Sequence, residues 1–182
     1  MKSKPSAGFT LIEALVVISI TAILVAIGVP SFQSFVAGRA VIGQVSEVAS
    51  ALRLARAEAI KRGAPVTVCR TEDPQAETPA CAADGDWATG WVVFVDRGAT
   101  GVVDDTDVVV QVHDAVVNSG GITRVGTTAI TFLASGVAVG AAGSFMFRPT
   151  VPEGTDDYTR LSRLVCVNFV GSTRMADGEV CV

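Results

Sequence analysis

The first third of the chain has two different hydrophobic patterns in succession. From Ala14 to Gly38 no residue is charged and most are apolar, a run long enough to span a bilayer as a helix. After Arg39 the apolar positions become periodic. Val41, Val45, Val48, Leu52, Ala55 and Ala59 recur at spacings of four and three, which places them on one helical face. Arg53, Arg56, Glu58, Lys61 and Arg62 fall largely away from that face. Lys61-Arg62-Gly63 reads as a helix C-terminus, with cations for the dipole and then a glycine cap, and Pro65 blocks continuation. The pattern predicts one long helix over residues 9–62, with a transmembrane part over about 9–30 and an apolar stripe that needs a sheet to pack on. Pro30 removes one hydrogen bond, to Ala26, and Gly28 lies beside it, so a kink or local melting is expected there.

Beyond Gly63 the period changes to that of strands. Val66–Arg70, Trp91–Asp96, Val108–His113, Ile130–Leu133, Phe145–Arg148 and Leu161–Val170 are short segments rich in Val, Ile, Phe and Thr, separated by Gly, Pro and Asp. The order predicts an α+β fold: a long N-terminal helix packed on a C-terminal head with an antiparallel sheet over residues 63–182. Residues 71–86 read as a polar loop and 97–107 as a Gly/Asp-rich turn.

Composition modifies this picture in two respects. The 182 residues are 49% hydrophobic with a net charge of −4, and much of the apolar excess lies in the first thirty-odd residues. Without residues 1–8, which contain Lys2 and Lys4, 12 Lys and Arg face 18 Asp and Glu, a net of −6. Overall charge therefore argues against generic nucleic-acid binding. Lys2 and Lys4 precede the apolar run and favour a cytoplasmic N-terminus with an exported head. The four cysteines, Cys69, Cys81, Cys166 and Cys181, form two pairs close in sequence and show no tight Cys-x2-4-Cys zinc knuckle. Two local disulfides in an oxidising compartment are the better reading, each closing a loop of ~15 residues worth roughly 3 kcal/mol, although four cysteines allow three pairings.

Catalytic chemistry has little support. The single histidine, His113, ends a predicted strand, and no nucleophile with a matched base can be assigned. No cofactor or metal is expected. Asp96 to Asp107 has the glycine and acids of a calcium loop, but Gly98 and Thr100 occupy ligand positions and Arg97 repels a cation, so a turn with solvated acids is the expectation.

Glu13 is the residue that the apolar run does not explain. A carboxylate driven to a bilayer centre costs about 2.5–3.5 kcal/mol, so it should have a partner. Gly8-Phe9-Thr10-Leu11-Ile12-Glu13, after a basic start and before a long apolar helix, resembles the type IV prepilin signature. The resemblance implies cleavage by a prepilin peptidase between Gly8 and Phe9, methylation of the new N-terminus, and pairing of Glu13 with the N-terminal amine of a neighbouring subunit. Residues 1–8 would be the leader. The family also carries a proline near Pro30.

Further along, Leu52–Gly63, Pro65–Cys69, Trp87–Asp96, and Thr131-Phe132 with Gly136 resemble the GspH/FimT (FimU) branch of minor pilins and pseudopilins. That likeness implies a pilus minor pilin at or near the filament tip, with a type II secretion pseudopilin as the alternative. The implied partners are other minor pilins, a major pilin or pseudopilins, the peptidase and the inner membrane. The implied location is a single-pass inner-membrane protein with a periplasmic head that later enters a filament. Some members of the branch bind DNA through a Gly-Arg-x-Arg stretch before the last cysteine. Here that stretch reads Gly171-Ser172-Thr173-Arg174, so its first arginine is missing; Arg174, with Arg160 and Arg163 on an adjacent strand, would be the DNA contact.

Overall fold

The computed structural model describes residues 9–176 and Cys181. Two compact units divide within the first helix, one ending at Val36 and the other beginning at Ala37. Helix α1 (Leu11–Arg62) runs from the first into the second. The helix is continuous through Gly28 and Pro30, which corrects the expected local melting. One proline deletes a single N–H, and the remaining ladder keeps the turn helical.

The first unit is a helix with its apolar side chains exposed, among them Leu11, Ile12, Leu15, Ile18, Ile23, Leu24 and Ile27. It is the one helix among the described residues that is long and apolar enough to cross a membrane.

The second unit has two antiparallel sheets where a single sheet is predicted. In the first sheet the order is β3-β2-β1-β5-β6, from β1 (Val66–Arg70), β2 (Trp91–Val95), β3 (Val108–His113), β5 (Ala129–Phe132) and β6 (Ala138–Val139). The second has the order β4-β7-β8-β9, from β4 (Ile122–Val125), β7 (Gly143–Phe147), β8 (Arg163–Val167) and β9 (Thr173–Ala176). A short helix α2 (Asp156–Leu161) precedes β8. The predicted strand Leu161–Val170 is therefore shorter: its first residue ends α2, and a turn closed by Gly171 N–H donating to Asn168 O follows it.

The core lies where α1 meets both sheets. All six residues of the predicted stripe are buried, and they share one cluster with Val66, Val68, Trp91, Val93, Ile130 and Phe132 of the first sheet and Ile122, Phe145, Phe147, Val165 and Val167 of the second. Alternation along β1 and β2 sends Cys69, Val92 and Phe94 to the opposite face, where Cys81, Val103 and Ala129 cover them. That second covering is why all five residues of β1 and all five of β2 are buried.

Candidate functional site

At the N-terminal end Phe9 is exposed, and Gly8 lies outside the described residues. The hydroxyl of Thr10 accepts the Glu13 N–H at 3.3 Å, and Thr10 O accepts the Ala14 N–H. Thr10 is thus the N-cap of α1 and Glu13 the third helical residue, the spacing of a capping box. Glu13 is exposed in the first turn, where a negative charge is favoured by the helix dipole, and it has no ion-pair partner among the described residues. The cap was readable in Thr10-Leu11-Ile12-Glu13 as a Thr-x-x-Glu spacing.

In the second unit, Cys69 is bonded to Cys81 and Cys166 to Cys181. The first bond closes the start of the connection between β1 and β2, and a side chain that sequence reading passed over organises the rest of it. The guanidinium of Arg70 is 4% exposed. It donates to Ala83 O at 3.3 Å, Asp84 O at 2.9 Å, Thr89 Oγ1 at 3.2 Å and Glu72 Oε1 at 3.0 Å. Two carbonyls, a hydroxyl and a carboxylate, all between β1 and β2, thus converge on one cation. The sequence carries no local signal for this role, since Arg70 stands at the end of a strand, an ordinary place for a solvated cation.

The acidic loop 97–107 is also internally bonded. Asp96 Oδ2 accepts the Gly101 N–H at 2.8 Å and the Thr67 hydroxyl at 2.6 Å. Asp107 accepts the N–H groups of Arg97 and Asp104, and Asp104 those of Ala99 and Thr106. The Thr106 hydroxyl and N–H, followed by the Ala99 N–H, hold the Asp104 carboxyl below its ordinary pKa. These carboxylates bind backbone N–H groups, and among the described residues no three His, Cys, Asp or Glu side chains converge on a metal position. His113 stacks on Trp91 with centroids 3.9 Å apart, and its Nε2 lies 3.6 Å from Glu47.

The three arginines expected at a DNA contact come from three different elements. Arg160 lies in α2, not on a strand, and pairs with Asp157 at 2.7 Å. Arg163 is on β8 and donates to the carbonyls of Arg160 and Ser162. Arg174 pairs with Cys166 across β8–β9. Arg163 is three positions from Cys166, so strand alternation puts it on the opposite face from Arg174. The expectation of Arg160 on a strand is thus corrected, while Arg163 is on the strand next to that of Arg174.

The profile of the family described as Type II transport protein GspH matches residues 44–171, from the second half of α1 to the β8–β9 turn. The chain belongs to the GspH family. The prokaryotic N-terminal methylation motif matches residues 3–29, so this GspH-family chain has a type IV pilin-like N-terminus, and the motif implies a prepilin peptidase. Two fimbrial proteins of Pseudomonas aeruginosa are each 47% identical over 60 residues, 33% of this chain and 38% of theirs. The match therefore spans well under half of those relatives. Two crystal structures of the P. aeruginosa type IV minor pilin FimU are 19% identical, at TM-scores of 0.48 and 0.49. They cover 72% of this chain and 88% and 84% of theirs.

Proposed function

We propose that this GspH-family chain is a minor pilin that assembles at or near the tip of a type IV pilus and supports pilus biogenesis. The observation that carries the reading is the methylation motif over residues 3–29 on a helix whose apolar side chains are exposed over its whole first part. Such a surface needs lipid or other helices around it, and a filament core supplies the second after the first. In this reading residues 1–8 are removed, residues 9–62 anchor and then assemble, and residues 63–182 form the head in the periplasm. Phe9 becomes the N-terminus four residues before Glu13, and Glu13 registers the subunit against a neighbour's amine. Gly28 and Pro30 mark the place where α1 would bend on packing. The chain acts by assembly rather than catalysis. Its partners are other pilins, the peptidase and the inner membrane. The fimbrial relatives support a pilus role.

A second reading, a type II secretion pseudopilin, is favoured by the description of the matching family as a transport protein. DNA contact through Arg160, Arg163 and Arg174 gains nothing from their placement. A clean deletion, scored in parallel for surface pili, DNA uptake and released exoproteins, tests the reading. Loss of pili with normal secretion is the expected result. Lost secretion with intact pili would replace the first reading by the second.

A further inference from the structure

Among the described residues four strands form the edges of the two sheets: β3, β6, β4 and β9. Three of them are blunted. β6 has two residues, β4 contains Arg124 and β9 contains Arg174. The fourth is different. β3 reads Val108-Val109-Val110-Gln111-Val112-His113, with no proline, lysine, arginine or acid. A long, apolar, uncharged edge is a template for another strand, and proteins that do not use such an edge protect it.

β3 is open along its outer side. Val108, Val109 and Val112 are 40%, 41% and 36% exposed. Among the described residues, Val108–Val112 make no hydrogen bonds beyond those to β2. A register shift opposite Val93 and Phe94 places a bulge in β3. Bulges can protect an edge, but here packing accounts for it, because Val110 rests against the core cluster. On either side of it the valines stay exposed: Val109 and Val112 on the face of Phe94 and Val92, and Val108 on the other.

Charge selects the occupant. Asp104, Asp105 and Asp107 precede β3 and Asp114 follows it, while residues 98–114 contain no Lys or Arg. Glu47 adds a further carboxylate beside His113, and Arg97 is the nearest base in the preceding loop. A second copy paired antiparallel on β3 would set Asp107 against the other copy's Asp114, and like charges directly opposite are destabilising. A strand with an apolar centre and basic ends meets both requirements.

We propose that β3 is a strand-addition site that takes an extended apolar segment flanked by Lys or Arg from a different protein. Main-chain hydrogen bonds along the outer edge supply affinity, the exposed valines supply apolar contact, and the terminal acids select the flanks. The proposal does not depend on which filament the chain serves.

The test uses the full chain in a neutral detergent and a fluorescein-labelled peptide, Lys-Lys-Val-Thr-Val-Thr-Val-Lys-Lys. Saturable binding is expected, with slower amide exchange across Val108–Val112. The same peptide with Glu in place of Lys should bind about ten-fold more weakly. The double variant Val109→Lys/Val112→Lys should lose binding by at least about ten-fold, since charge on an edge opposes pairing. Val125→Lys, on the exposed part of β4, should bind as wild type, and thermal unfolding checks that both variants fold. Absence of saturable binding at millimolar peptide, equal binding of the two peptides, or undiminished binding by the double variant would each overturn the proposal. So would self-association of the wild type that the double variant abolishes, because the occupant would then be a second copy.

Discussion

Replacing Arg70 by Ala removes the group on which the connection between β1 and β2 converges. Its four hydrogen bonds are not equivalent. Glu72 is 76% exposed in its side chain, so that ion pair contributes about 0–1 kcal/mol. The bonds to Ala83 O, Asp84 O and Thr89 Oγ1 have a charged donor, worth about 1.5–3 kcal/mol each where the acceptor stays dry. Ala83 and Asp84 are exposed residues, so their carbonyls regain water when the cation leaves. The net loss should be about 2–4 kcal/mol, which for a unit of this size lowers Tm by roughly 5–15 °C. Arg70→Lys should fall between, since an ammonium cannot span four acceptors in a fork. A double-mutant cycle adds a second check. A Cβ on Gly85 would lie 2.7 Å from Arg70 Cζ, at φ +147°. Gly85→Ala should therefore cost less in the Arg70→Ala background than alone, the difference being the steric part. Thermal unfolding by near-UV circular dichroism reads both. A Tm for Arg70→Ala within about 1 °C of wild type, or no coupling in the cycle, would refute the role given to Arg70.

Glu13→Leu should insert in the membrane as wild type and be recovered from sheared filaments or the tip complex at a small fraction of the wild-type level; normal recovery would remove the registering role. Gly136→Val should destabilise by about 1–3 kcal/mol, because Gly136 has φ +79° and a Cβ there meets Ile60 Cδ1 at 3.0 Å and Arg56 Nε at 3.2 Å; urea unfolding measures it. Glu58 is held below its ordinary pKa, first by its hydrogen bond to Arg62 and further by that to Lys61. A depressed carboxylate stabilises above its unfolded pKa and loses that contribution as pH falls through the folded value. Amide exchange in the last turn of α1 should therefore quicken below about pH 4.5 relative to the rest of the helix, and Glu58→Gln should abolish the difference. Cys166→Ser/Cys181→Ser should cost about 3 kcal/mol and leave Cys69–Cys81 intact, as unfolding of the oxidised double variant would show.

The parts readable in the sequence were those where one local rule sufficed. The four-and-three spacing from Val41 to Ala59 gave the buried face of α1, Gly63 gave its end, and uninterrupted β-formers gave β1 and β3 with their observed bounds. Other strand ends drifted by up to three residues. What was missed depends on contacts between distant segments. β4, Ile122-Thr123-Arg124-Val125, has too few apolar residues to announce itself and exists through its pairing with β7. α2 is six residues long, too short to show a period, and is set by its Thr155 cap. The division into two sheets is likewise a property of pairing, not of any one strand. At the N-terminal end the sequence carried the motif itself. In the head, Arg70 looks like an ordinary strand-end cation until the loop folds over it.

The two disulfides also bear on the order in which the chain can oxidise. Each joins cysteines near in sequence, 12 and 15 positions apart, so each loop closes at small entropic cost. Cys69 and Cys81 emerge long before Cys166, and they can bond while the partners of the second pair are still absent. The competing pairings all require far longer loops and a later arrival. Loop length and order along the chain therefore both favour the observed connectivity over the alternatives.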